Sequence, residues 1–237
     1  MHNPQIIWED DAIIAVNKPG GLLTIADGYD ASLPHLSGIL QQQFGPIWIV
    51  HRLDKETSGV LIVARTAAAH KALNNQFEHR QVEKIYHALV SGLPNWVEMS
   101  VDRPLRVNGD RKHRTIVDQQ NGKPAKTIFR VLERFENCCL IEARPLTGYT
   151  HQIRAHFFRL GLQIVGDTLY APRTAPFSSE NGITNNKPNT LIGLNRLGLH
   201  SCKITFIHPN TLQTMSLEAP YPEDFANALN ALQIQHN

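Results

Sequence analysis

The chain has 237 residues, a formal net charge of +2 with histidines neutral, and hydrophobic and charged fractions of 42% and 19%. It is long enough to bury a self-sufficient core, and its composition is that of an ordinary globular protein rather than a disordered or fibrous one. The net charge does not announce a nucleic-acid binder. The three cysteines, two of them adjacent (Cys138 and Cys139), form neither a disulfide framework nor the paired spacing of a structural zinc site, and no apolar run approaches the roughly 18 residues of a membrane span.

The first eleven residues have no basic segment and end in three acidic residues, so they do not read as a secretory signal, and a cytoplasmic setting is expected. Residues 12–17 are mostly apolar and run into Lys18-Pro19-Gly20-Gly21, a strand closed by a turn. Residues 32–44 place Leu33, Leu36, Ile39 and Leu40 at helical spacing. A short strand over 47–50 leads into His51, and 60–64 is an apolar run of the buried-strand type. Thr66 is placed to cap a helix reaching about His79, with Ala69, Leu73 and Phe77 as its stripe.

Residues 82–90 read as a strand that sends Lys84, Tyr86 and Ala88 to one face and Ile85, His87 and Leu89 to the other. Residues 99–130 hold eight basic side chains, among them Arg103, Arg106 and Lys123, against three acidic ones. Such a strip attracts phosphates, and it is equally compatible with a solvated loop face. Strands follow over 127–135 and 139–143. A short helix over 151–160, ended by Gly161, carries His151, Arg154 and Phe158 near one face and Ile153, Phe157 and Leu160 near another. Residues 171–189 are rich in Pro, Ser, Asn and Thr and read as a long surface loop, and 199–207 and 214–217 close the fold as strands. Strands outnumber helices, which implies an α+β fold with a large mixed or mostly antiparallel sheet, in one domain over 1–237 with its core at about 8–222.

The densest chemistry lies in His51-Arg52-Leu53-Asp54-Lys55-Glu56-Thr57-Ser58-Gly59, between two apolar strands. On residue types alone this is a capped turn in which Asp54 or Thr57 bonds local amides. Its placement between rigid strands also suits a catalytic loop. No G-x-S-x-G elbow and no phosphate-binding glycine loop occurs. His51, His151 and His156 lack a completing carboxylate or cysteine and have the wrong spacing for a helical pair, so no metal is expected.

His51 to Gly59 matches the H-R-L-D-x-x-T-S-G signature of the RluA-type pseudouridine synthases at every fixed position, and the chain resembles that family elsewhere in the same order. Lys18-Pro19-Gly20-Gly21-Leu22 resembles its K-P-x-G-L turn, and Lys84-Ile85-Tyr86-His87-Ala88-Leu89-Val90 its K-x-Y-x-A-L-V strand. Gly122 to Thr127 is similar to its G-K-x-A-x-T segment, and Pro145 to His156 to its P-x-T-G-R-x-H-Q-I-R-x-H run, followed by Gly166-Asp167 and Leu199-His200-Ser201.

The resemblance implies the pseudouridine synthase fold and isomerisation of uridine in ribosomal or transfer RNA stem-loops by a monomer without cofactor. It implies Asp54 as the catalytic carboxylate, acting as nucleophile or as proton acceptor, with Arg154 as its ion-pair partner and Tyr86 stacking on the displaced uracil. Arg52 stands where it would hold a flipped base, and His51, Thr57, Lys84, Tyr149 and His151 complete the expected RNA contacts, with Arg103, Arg106 and Lys123 from the basic strip. Tyr149 stands where the family usually has arginine, so a ring that stacks replaces a charge at that point. The small basic N-terminal domain of many relatives is not expected ahead of this segment, and the catalytic domain itself is expected to grip RNA. Two other classes compete. A non-catalytic RNA-binding protein on the same fold would tolerate loss of Asp54, and a glycosidase would require a second carboxylate such as Glu56 beside it.

Overall fold

A computed structural model describes residues 4–171 and 193–236. The loop expected over 171–189 lies outside the described residues, save for Ala171. The chain opens with the antiparallel pair β1 (Gln5–Glu9) and β2 (Ile13–Lys18), then runs through α1 (Leu36–Phe44), β3 (Trp48–Ile49), β4 (Ser58–Ala64) and α2 (Ala67–Glu78). Next come β5 (Glu83–Ser91), β6 (Glu98–Asp102), β7 (Leu105–Arg106), β8 (Ile116–Val117), β9 (Lys126–Arg134) and β10 (Cys138–Pro145). The remainder is α3 (Gln152–Arg159), β11 (Gln163–Ile164), β12 (Leu199–Ile207), β13 (Thr214–Glu218) and α4 (Glu223–His236).

Eleven strands form one sheet along the path β1-β2-β4-β12-β5-β10-β9-β6, with β3 on β4, β11 on β5 and β13 on β12, while β7 and β8 pair apart. β4 and β12 run parallel, and the other pairings are antiparallel, so the sheet is mixed and mostly antiparallel in an α+β fold. Every residue of β4 is buried because both of its faces are covered. Val60, Ile62 and Ala64 pack with Leu73 of α2, and Leu61 and Val63 pack with Leu36 and Leu40 of α1. Thr66 caps α2 as its sequence predicts, its hydroxyl accepting from the Ala69 amide at 3.1 Å. Leu33, expected on the apolar face of α1, precedes the helix and is more than a third exposed.

Two elements escaped the sequence. β1 adds an edge to the sheet, and α4 lays Phe225, Ala228, Leu229 and Leu232 over Leu89, Leu140, Val165 and Leu194. The core thus runs past residue 222, because α4 buries these four positions.

One transverse row crosses the middle of the sheet. Ala143, Tyr86, Ser201, Gly59 and Lys18 lie side by side on β10, β5, β12, β4 and β2. The row requires glycine at 59, where φ is +117° and a Cβ would stand 2.1 Å from the Ser201 carbonyl oxygen. This is the reason the His51–Gly59 segment ends as it does.

Candidate active site

The Asp54 loop enters β4 just before this row and is held on several sides. The buried Lys18 ammonium donates to the carbonyls of Pro19 (2.9 Å), Leu22 (2.8 Å) and Lys55 (3.1 Å). Gly21 N–H donates to the same Lys55 oxygen at 2.8 Å. The Thr24 hydroxyl donates to the Leu53 carbonyl at 2.8 Å, and the Thr57 amide closes a turn on the Asp54 carbonyl at 3.1 Å. Burial pulls the Lys18 pKa down to about 7, against the pull of Glu56 and Asp54. The Lys-Pro turn and the Asp54 loop are therefore one clamped unit.

On its other side Asp54 meets the start of α3. His151 takes a left-handed backbone, φ 56°, and brings Nε2 to 3.8 Å from Asp54 Oδ2. Burial lowers the His151 pKa, and the Asp54 charge opposes that shift. Gln152 sets the angle of α3. It accepts from the Thr147 hydroxyl (2.7 Å) and the Tyr149 amide (3.2 Å), and it donates to the Lys126 carbonyl and the Thr127 hydroxyl, each at 3.0 Å. His156 is buried and neutral, its Nε2–H on the Arg103 carbonyl (3.2 Å) and its Nδ1 accepting from Thr127 (2.9 Å).

Arg154 corrects one expectation. Its guanidinium forms a two-point bond with Asp167, Nε to Oδ2 and Nη2 to Oδ1, both 2.8 Å, instead of a direct pair with Asp54. Asp167 is positioned for this by the Leu169 and Tyr170 amides, each donating to Oδ1 at 3.0 Å, and the Arg154 Cζ lies 5.0 Å from the Tyr170 ring centroid. Burial disfavours the Arg154 charge, but Asp167 and, through space, Asp54 more than offset it, so the guanidinium stays protonated. Gly166 precedes the aspartate because a Cβ there would lie 2.0 Å from the Arg196 carbonyl oxygen, at φ +73°. The Gly166-Asp167 pair was visible in the sequence, whereas its tie to Arg154 was not. Tyr170, which bonds Thr115 through both that residue's amide and carbonyl, carried no signal at all.

These groups surround a cavity of about 490 Å³, a size that admits a nucleoside. Its walls include Asp54, Tyr86, Arg154, Arg52, His51, Thr57, Lys84, Tyr149 and His151, so the structure brings nine expected residues to one concavity. Tyr86 is half-buried there, and burial with the nearby Asp54 charge raises its phenol pKa, while Ser201 opposes the rise. Burial lowers the Lys84 pKa to about 8, and its Nζ donates to the Thr147 carbonyl at 3.4 Å. Thr57 Oγ1 is buried and has no hydrogen-bond partner among the described residues.

His51 is already engaged: the Ile62 amide donates to its Nε2 at 3.1 Å, it stacks on Phe77, and burial with the Lys84 charge depresses its pKa to about 3. Arg103, Arg106 and Lys123 are absent from the cavity walls, and Arg106 is bound to Asp118 at 2.7 Å. Glu56 is also absent from them, so the two-carboxylate arrangement weighed for a glycosidase is not formed by Asp54 and Glu56. Among the described residues no helix is long and apolar enough to cross a membrane.

A family model described as RNA pseudouridylate synthase matches residues 12–158. The chain is 36% identical over 226 residues to the dual-specificity RNA pseudouridine synthase RluA of Vibrio parahaemolyticus serotype O3:K6 (strain RIMD 2210633), covering 92% of this chain and 84% of that protein. It is 36% identical over 231 residues to the ribosomal large subunit pseudouridine synthase C of Yersinia pestis, covering 96% and 69%. Among solved structures, human RNA pseudouridylate synthase domain containing 4 superposes with a TM-score of 0.75 at 25% identity, over 97% of this chain and 93% of the other.

Proposed function

The chain belongs to the RNA pseudouridylate synthase family, on its RluA-type branch, and is an isomerase; from that premise we propose that it converts uridines to pseudouridine in structured ribosomal or transfer RNA, with Asp54 as the catalytic carboxylate. The observation that carries this reading is the position of Asp54. It projects from a clamped loop into a nucleoside-sized cavity that also holds Tyr86, Arg154 and His151. The names of the relatives, one a dual-specificity RNA enzyme and one a ribosomal large-subunit enzyme, support RNA, and ribosomal RNA in particular, as substrate.

The reaction breaks the bond between ribose and uracil N1 and rejoins the ring through C5, with loss of the C5 proton. Asp54 must act ionised, and Arg154 supplies positive potential beside it, with His151 Nε2 at 3.8 Å as a hydrogen-bonding neighbour in reach. Because Arg154 is fixed by Asp167, its field is preorganised and its geometry does not depend on Asp54. Tyr86, opposite the loop across β12, suits stacking on the detached uracil, and its hydroxyl, kept protonated by burial, serves as a hydrogen-bond donor to the ring rather than as the base that takes the C5 proton. The target base must leave its stack to reach this cavity, at a cost of about a few kcal/mol that is smaller in a loop. Arg52, exposed at the cavity wall, is suited to hold the opened RNA, with Tyr149 as a second stacking surface.

Tritium release tests the reading. RNA transcribed with uridine labelled at C5 loses the label only when that carbon forms the new glycosidic bond. Release from unmodified ribosomal or transfer RNA fragments is expected, and a folded, RNA-binding protein that releases none would return the chain to the non-catalytic class.

A further inference from the structure

A second cavity, about 640 Å³, shares Arg80, Val82, Lys84, Pro145, Leu146 and Thr147 with the first. The two are therefore neighbouring parts of one concave surface joined at Lys84. Beyond that neck the second cavity adds Lys126, at the start of β9, and Arg144, near the end of β10. Arg80 stands at the rim after α2 in a left-handed conformation, φ 58°. Four cations thus face two carboxylates, Glu83 and Asp102.

The cations are largely uncommitted. The Arg80 guanidinium and the Lys126 ammonium make no hydrogen bond or ion pair among the described residues, and Lys126 forms no ion pair with Asp102, its register partner on β6. Arg144 uses one nitrogen, Nε, on Glu142 at 2.8 Å and is about half exposed. Between them lie apolar walls, Ile85, Ala125 and Ile128 among them. A surface that alternates cations with apolar patches fits a polynucleotide strand, whose phosphates and sugar-base units alternate in the same way.

We propose that this second cavity is a binding site for the RNA strand flanking the target uridine, with Arg80, Lys126 and Arg144 on its phosphates. The inference rests on the RNA-isomerase reading, because continuity with the Asp54 cavity is what selects RNA over another polyanion. It also relocates the phosphate contacts expected of the basic strip. Arg103, Arg106 and Lys123 line neither cavity, whereas Lys126 from the same strip lines this one.

The test is equilibrium binding of a labelled RNA stem-loop across a salt series, with tritium release on the same samples. Arg80→Gln, Lys126→Gln and Arg144→Gln remove one charge each, and Lys71→Gln, on the exposed face of α2, is the control. Each groove variant is expected to weaken binding up to about fivefold, and to flatten the slope of log affinity against log salt by about 0.7. Lys126→Arg should retain both. Circular dichroism and a thermal melt confirm that each variant is folded. If the three folded variants bind with the wild-type affinity and salt slope while the wild type turns over, the groove is not an RNA site and the isomerase reading stands. If the wild type releases no tritium but the groove variants lose binding, the isomerase reading fails and the groove remains an RNA site.

Discussion

Arg154 binds Asp167 by two 2.8 Å hydrogen bonds, and Asp54 acts on that guanidinium through space with no ion pair between them among the described residues. The cation that serves the proposed catalytic carboxylate is thus held by a different carboxylate, buried and amide-bonded. Removing one partner of a buried pair strands the other charge, which costs about 3–5 kcal/mol, whereas replacing both by apolar groups is close to neutral. Asp167→Asn should therefore lower the denaturation midpoint and the turnover together. Arg154→Met combined with Asp167→Leu should recover most of the stability and none of the turnover. Urea unfolding and tritium release on the same preparations separate the two effects, and a stable, inactive double variant is the informative result.

Gly59 is fixed by the approach of β12. A Cβ at 2.1 Å from the Ser201 oxygen cannot be accommodated without moving β4 from β12, and φ +117° is itself strained for alanine. Gly59→Ala is expected to destabilise the protein by more than about 2 kcal/mol. A thermal melt within a degree of the wild type would show that the strands part at no cost.

Two histidines tie stability to pH. His200 is buried, and its pKa falls from 6.5 to about 4, with Ser58 donating to Nδ1 (3.0 Å) and Nε2–H on the Ala219 carbonyl (3.1 Å). His51 is likewise held neutral, down to about 3. In the unfolded chain both protonate near 6.5, so from there down to about pH 4 the unfolded state binds more protons. Stability is lost as pH falls through this window, at up to about 1.4 kcal/mol per unit per histidine. Denaturant midpoints taken from pH 7.5 down to 4.5 should decline, and His200→Gln should start lower and decline less steeply. A parallel decline in both proteins would remove His200 as a source of the slope.

Lys84 sits at the neck between the cavities with a pKa of about 8, lowered by burial. It carries its charge below that pH and sheds it above, so RNA affinity should fall between about pH 7.5 and 9. Lys84→Arg keeps a charge throughout the range and should bind with a flatter profile. Fluorescence anisotropy at constant ionic strength reads this directly, and identical profiles would exclude Lys84 as the titrating contact.

The fold and the site were legible to different degrees. Strong local patterns carried through: the Thr66 cap and the apolar run of β4 each reflect a signal contained within one element. The expected site residues hold together because they belong to short motifs, on β5, on the loop that enters β4 and at the start of α3, and nine of them share one cavity. What could not be read was long-range pairing. Asp167 and Arg154 are 13 residues apart, joined through the loop geometry that Gly166 permits, and nothing local distinguishes Asp167 from a surface aspartate. Lys18 read as a turn lysine, while its three carbonyl partners come from two separate loops. α4 went unread although Phe225, Ala228, Leu229 and Leu232 stand at helical spacing, and what they cover, Leu89, Leu140, Val165 and Leu194, is scattered along the chain.

Whether Asp54 performs the chemistry is decided by single-turnover tritium release, with wild type and Asp54→Asn on the same RNA. Release by the wild type is expected, with a rate for Asp54→Asn lower by about a thousandfold or more and RNA affinity retained. Release by Asp54→Asn at close to the wild-type rate would contradict the assignment.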